Sequence, residues 1–124
     1  MSTIVHFDIS AENTARARLF YEELFGWKFH KLPMDYYMIS TKALDGTTGV
    51  GGGLSLRDTA ASNAKQVGII NYMGVSSLSK SLKKVTALGG KVLTEVQPVA
   101  GYGMLAVCTD TEGNVFGMFE EEGN

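Results

Sequence analysis

His6 and Asp8 are the residues of this chain best suited to chemistry. They stand two apart in the β-prone run Thr3-Ile4-Val5-His6-Phe7-Asp8-Ile9. Neighbouring strand side chains point to opposite faces, so Ile4, His6 and Asp8 share one side and Val5, Phe7 and Ile9 the other. An imidazole beside a carboxylate forms an acid/base pair, in which the histidine moves a proton and the carboxylate orients the ring. A second reading is open: a neutral imidazole is also readily satisfied by backbone or by a neighbouring carboxylate with no catalytic consequence.

Further candidates for lining a cavity come from other strands: Tyr37, Asn71, Tyr72 and Met104, with Tyr102 at the tip of Gly101-Tyr102-Gly103. That loop suits either closure on a ligand or the ordinary joining of two strands. Trp27 follows a helix end directly and reads as core, and core filling is the commoner use of Met34, Met38, Met73, Met104 and Met118. Cys108, the single cysteine, lies in the apolar run Met104 to Cys108 and reads as a buried, inert thiol. No Ser-His-Asp order, Walker loop or dinucleotide fingerprint occurs, and Gly49-x-Gly51 lacks the following helix that phosphate binding needs.

These side chains need strands to carry them. Ile4 to Ile9 predicts the first. A helix follows, capped by Asn13, with Ala17, Phe20 and Leu24 on its buried stripe, Arg16, Arg18, Glu22 and Glu23 on its wet face, and Gly26 just past its end. Trp27 to Lys31 and Tyr36 to Thr41 predict two strands around the turn Leu32 to Asp35. Thr48 to Leu56 predicts a fourth, whose glycines mark either a bulge or the close approach of a backbone or ligand.

After the small, polar stretch 58–66 the pattern restarts. Ile69 to Val75 is a strand. Ser76 or Ser77 caps a helix with Leu78, Leu82, Val85 and Leu88 on one face, Gly89-Gly90 ends it, and Lys91 to Val96, Met104 to Thr109 and Asn114 to Glu120 are strands. Each half thus reads β-α-β-β-β. The expected fold is α+β: two βαβββ modules forming a curved mixed sheet around a central cavity, with the helices outside. The expected organisation is a single domain over 1–124, module one about 1–57, linker 58–66 and module two about 67–124.

Composition narrows the function. With 124 residues and 44% hydrophobic content the chain can bury a core without staples. Eleven basic residues against 13 acidic ones leave no basic footprint for nucleic acid. No apolar run approaches the roughly 20 residues of a membrane span, and no leader pattern opens the chain, which predicts a cytoplasmic protein.

The element order, together with His6, Phe20-Tyr21, Leu24-Phe25-Gly26-Trp27, Leu88-Gly89-Gly90-Lys91-Val92 and Thr109-Asp110-Thr111-Glu112-Gly113-Asn114, resembles the vicinal oxygen chelate superfamily of glyoxalase I, bleomycin-resistance proteins and extradiol dioxygenases. The resemblance covers essentially the whole chain. It implies, for metal-dependent members, four ligands from the first and last strands of each module, commonly His, Glu, His, Glu. Here His6 matches the first, Gly51 to Gly53 stand near the second, Asn71 (or Ile70 or Tyr72) at the third and Gly117 at the fourth. Glu120 lies three residues past Gly117 and points to the opposite face of a regular strand. One histidine holds a metal weakly. The expectation is therefore a glyoxalase-related subgroup with no metal and no cofactor.

On that resemblance the chain binds a small, partly apolar molecule. One reading adds lyase or isomerase-type proton transfer by His6 with Asp8 as its orienter. A second is non-catalytic sequestration in the manner of bleomycin-resistance proteins, and a third is a divergent metal site using His6 and Glu120. A homodimer is expected, with the glycine-rich strand as a flat contact surface.

Overall fold

The computed structural model describes residues 1–33, 36–57, 68–99 and 101–122. The described residues form nine strands and two helices, in the order β1 (Ile4–Ala11), α1 (Thr14–Phe25), β2 (Lys28–Lys31), β3 (Tyr36–Ser40), β4 (Gly51–Leu56), β5 (Ile69–Gly74), α2 (Leu78–Ala87), β6 (Lys91–Val92), β7 (Gln97–Val99), β8 (Gly103–Thr109) and β9 (Val115–Glu121). The expected linker 58–66 and half of the turn before β3 lie outside the described residues. The chain divides into two compact units, one of His6–Ile69, the other of Met1–Val5 with Ile70–Asn124.

In the unit of His6–Ile69 the strand order is β2-β3-β4-β1. The β2, β3 and β4 strands run antiparallel, whereas β1 and β4 are parallel, with His6 opposite Gly51 and Asp8 opposite Gly53. A parallel pair needs a crossover, and α1 lies within it. Asn13 accepts the Arg16 amide at 2.9 Å and caps α1. Gly26 ends the helix at φ 71°, a left-handed conformation that a side chain disfavours. One sheet face packs under the helix, where Ile9, Ile39 and Leu54 are buried with Phe7, Ala17, Tyr21, Trp27, Phe29 and Tyr37 around them. Trp27 is core, as its position predicts.

The buried stripe of α1 differs from expectation. Ala17 and Tyr21 face the sheet, but Phe20 and Leu24 are more than half exposed. The aromatic residues at the helix end decide this. Trp27 stacks on Tyr21 with centroids 5.1 Å apart and also meets Phe7 and Phe25, so the helix rotates to present Tyr21. Arg18 and Glu22 follow Tyr21 to the inner side instead of the wet face, pairing at 3.2 Å, with the Arg18 guanidinium over the Tyr37 ring.

The second unit repeats the plan. β5 and β9 are parallel, with Tyr72 opposite Gly117, and β9 and β8 are antiparallel. Its helix α2 is capped by Ser77, whose hydroxyl accepts the Lys80 amide. Leu78, Ala106, Cys108 and Met118 are buried beneath it, with Leu82, Val85, Met104 and Phe116 beside them. Burial pushes the Cys108 thiol pKa up, which suits an inert packing residue.

The outer strand of this unit departs from the single strand expected over Lys91 to Val96. Two short strands, β6 and β7, instead pair with different halves of β8. Between Val92 opposite Cys108 and Gln97 opposite Leu105 the chain takes five steps against three, so two extra residues bulge. The amides of Leu93 and Thr94 both reach the Val107 carbonyl, and the Thr94 hydroxyl accepts the Val107 amide at 2.9 Å. A side chain thus replaces a ladder bond. Pro98 is tolerated in β7 because it sits on an edge.

With one helix on one face of each mixed sheet, the fold is α+β, as expected.

Candidate functional site

The face of the first unit's sheet turned away from α1 is polar. Alternation along β1 places His6, Asp8 and Ser10 there, and the strand register aligns Asp8 with Gly53 and Met38, and Ser10 with Ser55 and Tyr36. His6 Nε2 lies 3.0 Å from Asp8 Oδ1, and the Tyr36 hydroxyl donates to the same oxygen at 3.0 Å. The His6 and Asp8 side chains are 29% and 27% exposed, so solvent reaches them.

Gly53 makes this grouping possible. A Cβ at that position would run into the Tyr36 hydroxyl and Asp8 Oδ1, so only the bare glycine lets the phenol cross β4 to the carboxylate. Gly52 likewise admits the Phe7 ring on the other face. The close approach marked by these glycines is therefore by neighbouring side chains. Strand β4 is paired on both sides, with side chains lying over Gly52 and Gly53.

The other sequence candidates lie elsewhere. Tyr37 is on the α1 side, edge to face with Phe29, one residue out of step with the site. Met104 packs under α2. Asn71, alternating with Tyr72, falls on the α2 side of β5 with Met73, whose partner Met118 is in that core. Tyr72 is buried on the opposite face, its ring filling the space above Gly117. Tyr102 is an exposed turn residue between β7 and β8, its amide bonded to the Val99 carbonyl at 2.9 Å.

Tyr36 and Gly53 are the members of the site that the sequence alone did not select. Their signal was the alternation itself: Tyr36 shares parity with Met38, and only the register of β3 on β4 shows which of two adjacent tyrosines meets Asp8.

The residues do not fit a metal. Tyr72 follows His6 by 66 residues and Gly117 follows Gly51 by 66, so the two parallel pairs hold equivalent places in the two units. Those places carry one histidine, two glycines and a tyrosine, and only the histidine is a ready ligand. Glu120 is committed elsewhere: its Oε1 accepts the Leu78 amide at 2.7 Å, anchoring the first residue of α2. Among the described residues no three His, Cys, Asp or Glu side chains gather.

Two surface grooves lie on the helix sides and contain neither His6 nor Asp8. One, about 340 Å³, runs between α2 and the β8–β9 turn, and another, about 420 Å³, flanks the start of α1. The titratable pair, not groove volume, distinguishes the polar face. Among the described residues no helix is long and apolar enough to cross a membrane.

The fold and the repeated parallel pairs define a glyoxalase-type α+β protein. The chain belongs to the Glyoxalase/Bleomycin resistance protein/Dioxygenase superfamily, which it matches over residues 3–118. A search of the curated proteins returns no match. Among solved structures, the chain is similar to a hypothetical protein from Bacillus halodurans (TM-score 0.69, 16% identity, covering 99% of this chain and 96% of that one). It is also similar to a methylmalonyl-CoA epimerase variant from Streptomyces coelicolor in complex with 2-nitronate-propionyl-CoA (0.69, 15%, 97% of each chain). The methylmalonyl-CoA epimerase from Mycobacterium tuberculosis is a further likeness (0.66, 14%, 97% and 88%). At these identities the likeness is one of fold.

Proposed function

We propose that this chain binds a small, partly apolar carbonyl compound on the polar face of its first sheet and moves a proton at the carbon beside the carbonyl, an isomerase or lyase type of reaction. The observation that carries this reading is the His6–Asp8–Tyr36 cluster, two hydrogen bonds converging on one carboxylate oxygen. Asp8 orients the imidazole and stands beside it when the proton arrives, while Tyr36 fixes the carboxylate. His6 is the acid/base residue. No step requires a metal.

Solved structures of similar fold include methylmalonyl-CoA epimerases, and epimerisation at such a carbon is a proton removal and return. That precedent supports the reaction class without specifying this chain's substrate. We place the protein in the cytoplasm as a homodimer.

The test is solvent-deuterium incorporation into binding hits from a metabolite panel. Wild type should label at least one hit, and His6→Ala should slow labelling about 10²–10⁴-fold, the usual loss for a general base. Binding hits that never exchange would replace this reading with sequestration.

A further inference from the structure

We infer that the groove beside the start of α1 is a binding site in its own right, and that it takes a small aromatic acid, a flat apolar ring carrying a carboxylate or phosphate. The groove holds about 420 Å³, within the range of small-molecule sites. Its lining residues all belong to the unit of His6–Ile69, and neither His6 nor Asp8 is among them.

Arg57 supplies the hook for the acid. It follows β4 directly, and its amide continues the ladder by donating to the Ala11 carbonyl at 2.7 Å. The side chain is thereby fixed beside the end of β1, where Nη2 donates to the Ser10 carbonyl at 3.2 Å and Nε lies 3.5 Å from the Ser10 hydroxyl. Those two nitrogens form one edge of the guanidinium. With that edge held by β1, the fork of Nη1 and Nη2 remains for another acceptor, the geometry that binds a carboxylate or phosphate with two parallel bonds. The Arg57 side chain is only 23% exposed, so its charge is positioned and partly desolvated before a ligand arrives. The acid that meets it among the described residues is Glu12, on a side chain 70% exposed, with its carboxylate 3.7 Å from Nη1 and thus beyond hydrogen-bond distance. So loose a partner is displaced by a two-pronged ligand.

Charge and shape select the rest of the ligand. Arg16 also lines the groove, which therefore carries two guanidinium groups against the one carboxylate of Glu12, on a chain whose net charge is -2. The wall contributed by α1 is apolar. Tyr21 is stacked on Trp27, and Phe20 meets Tyr21 edge to face with centroids 5.2 Å apart, so both rings are in place in advance. Phe20 is 59% exposed, which leaves much of its ring for a second ring to cover. A cation in the groove would face two like charges, and an uncharged apolar molecule would leave the Arg57 fork unused.

The probes are phenyl phosphate and benzoate, with inorganic phosphate and benzyl alcohol as the halves of the recognised group. Titration of the whole chain, followed by its backbone amide NMR signals, should place both aromatic acids at Ser10 to Ala17 and at Arg57. Dissociation constants of about 1–10 mM are expected for fragments this small. Inorganic phosphate and benzyl alcohol should bind at least about tenfold more weakly. Arg57→Gln should weaken the acids about tenfold or more. Arg16→Gln should weaken them about two- to fivefold, whereas Glu12→Gln, removing the competing carboxylate, should tighten them about twofold. Arg16 and Glu12 are exposed, so those two variants read the site even where loss of the Ser10 bonds disturbs folding in Arg57→Gln. His6→Ala should leave binding unchanged, which separates this site from the proton-transfer reading. Shifts absent from the groove, a half-probe that matches the aromatic acids, a Glu12→Gln chain that binds them no tighter, or loss of binding in His6→Ala would each overturn the proposal.

Discussion

Asp8 holds the site together, since its Oδ1 is the meeting point of His6 and Tyr36. Removing one donor tests its contribution. Tyr36→Phe should cost about 0.5–1.5 kcal/mol of stability in urea unfolding, the usual net worth of one hydrogen bond, whereas Tyr37→Phe should not disturb the cluster. Gly53→Ala is the stronger intervention, because the added methyl meets both the phenol oxygen and the carboxylate. Overpacking of this kind costs about 1–3 kcal/mol, and ligand binding should fall with it. A Gly53→Ala chain with wild-type stability and unchanged binding would show that the cluster tolerates displacement.

Among the elements, α2 and the β8–β9 turn depend on acidic side chains that the sequence offers for other uses. Glu120 anchors the Leu78 amide, so Glu120→Ala should destabilise by about 1.5 kcal/mol or more, the scale of a hydrogen bond to a charged group. Asp110 accepts from the Asn114 side chain and amide and from the Glu112 amide, which holds its carboxyl below its ordinary value of 3.8. A carboxyl pKa lowered by folding contributes stability above about pH 4 that is lost as pH falls through the folded value. The advantage of wild type over Asp110→Ala, followed by urea midpoints, should therefore be full near pH 5 and shrink below pH 4; an advantage that grows on acidification would contradict this. The caps and glycine stops of both helices were legible in the chain because Asn13, Gly26, Ser77 and Gly89 act locally. Helix rotation was not, since α1 is apolar on two sides and the choice depends on Trp27 stacking against Tyr21. The break in the outer strand was equally hidden, because Thr94 is a good strand former and its hydroxyl bond to Val107 is a tertiary event.

For the whole chain, the repeat of a strand, a helix and then further strands was readable from periodicity and turn residues, although the outer strand of the second unit is split in two. The site was half readable: the spacing of His6 and Asp8 puts both on one face, but Tyr36 and Gly53 join them through a strand register that only the fold supplies. Among the described residues the repeat offers a metal one ready ligand. Its equivalent places hold His6, Gly51, Tyr72 and Gly117, and Glu120 serves a helix. Protein purified without chelator should accordingly carry no stoichiometric metal by elemental analysis. The central claim is that small molecules bind where His6, Asp8 and Tyr36 meet. Ligand-observed NMR with one metabolite panel, run on wild type, His6→Ala and Tyr37→Phe, tests it most directly. The account predicts hits for wild type that vanish or weaken with His6→Ala and persist with Tyr37→Phe; identical profiles for wild type and His6→Ala would contradict it.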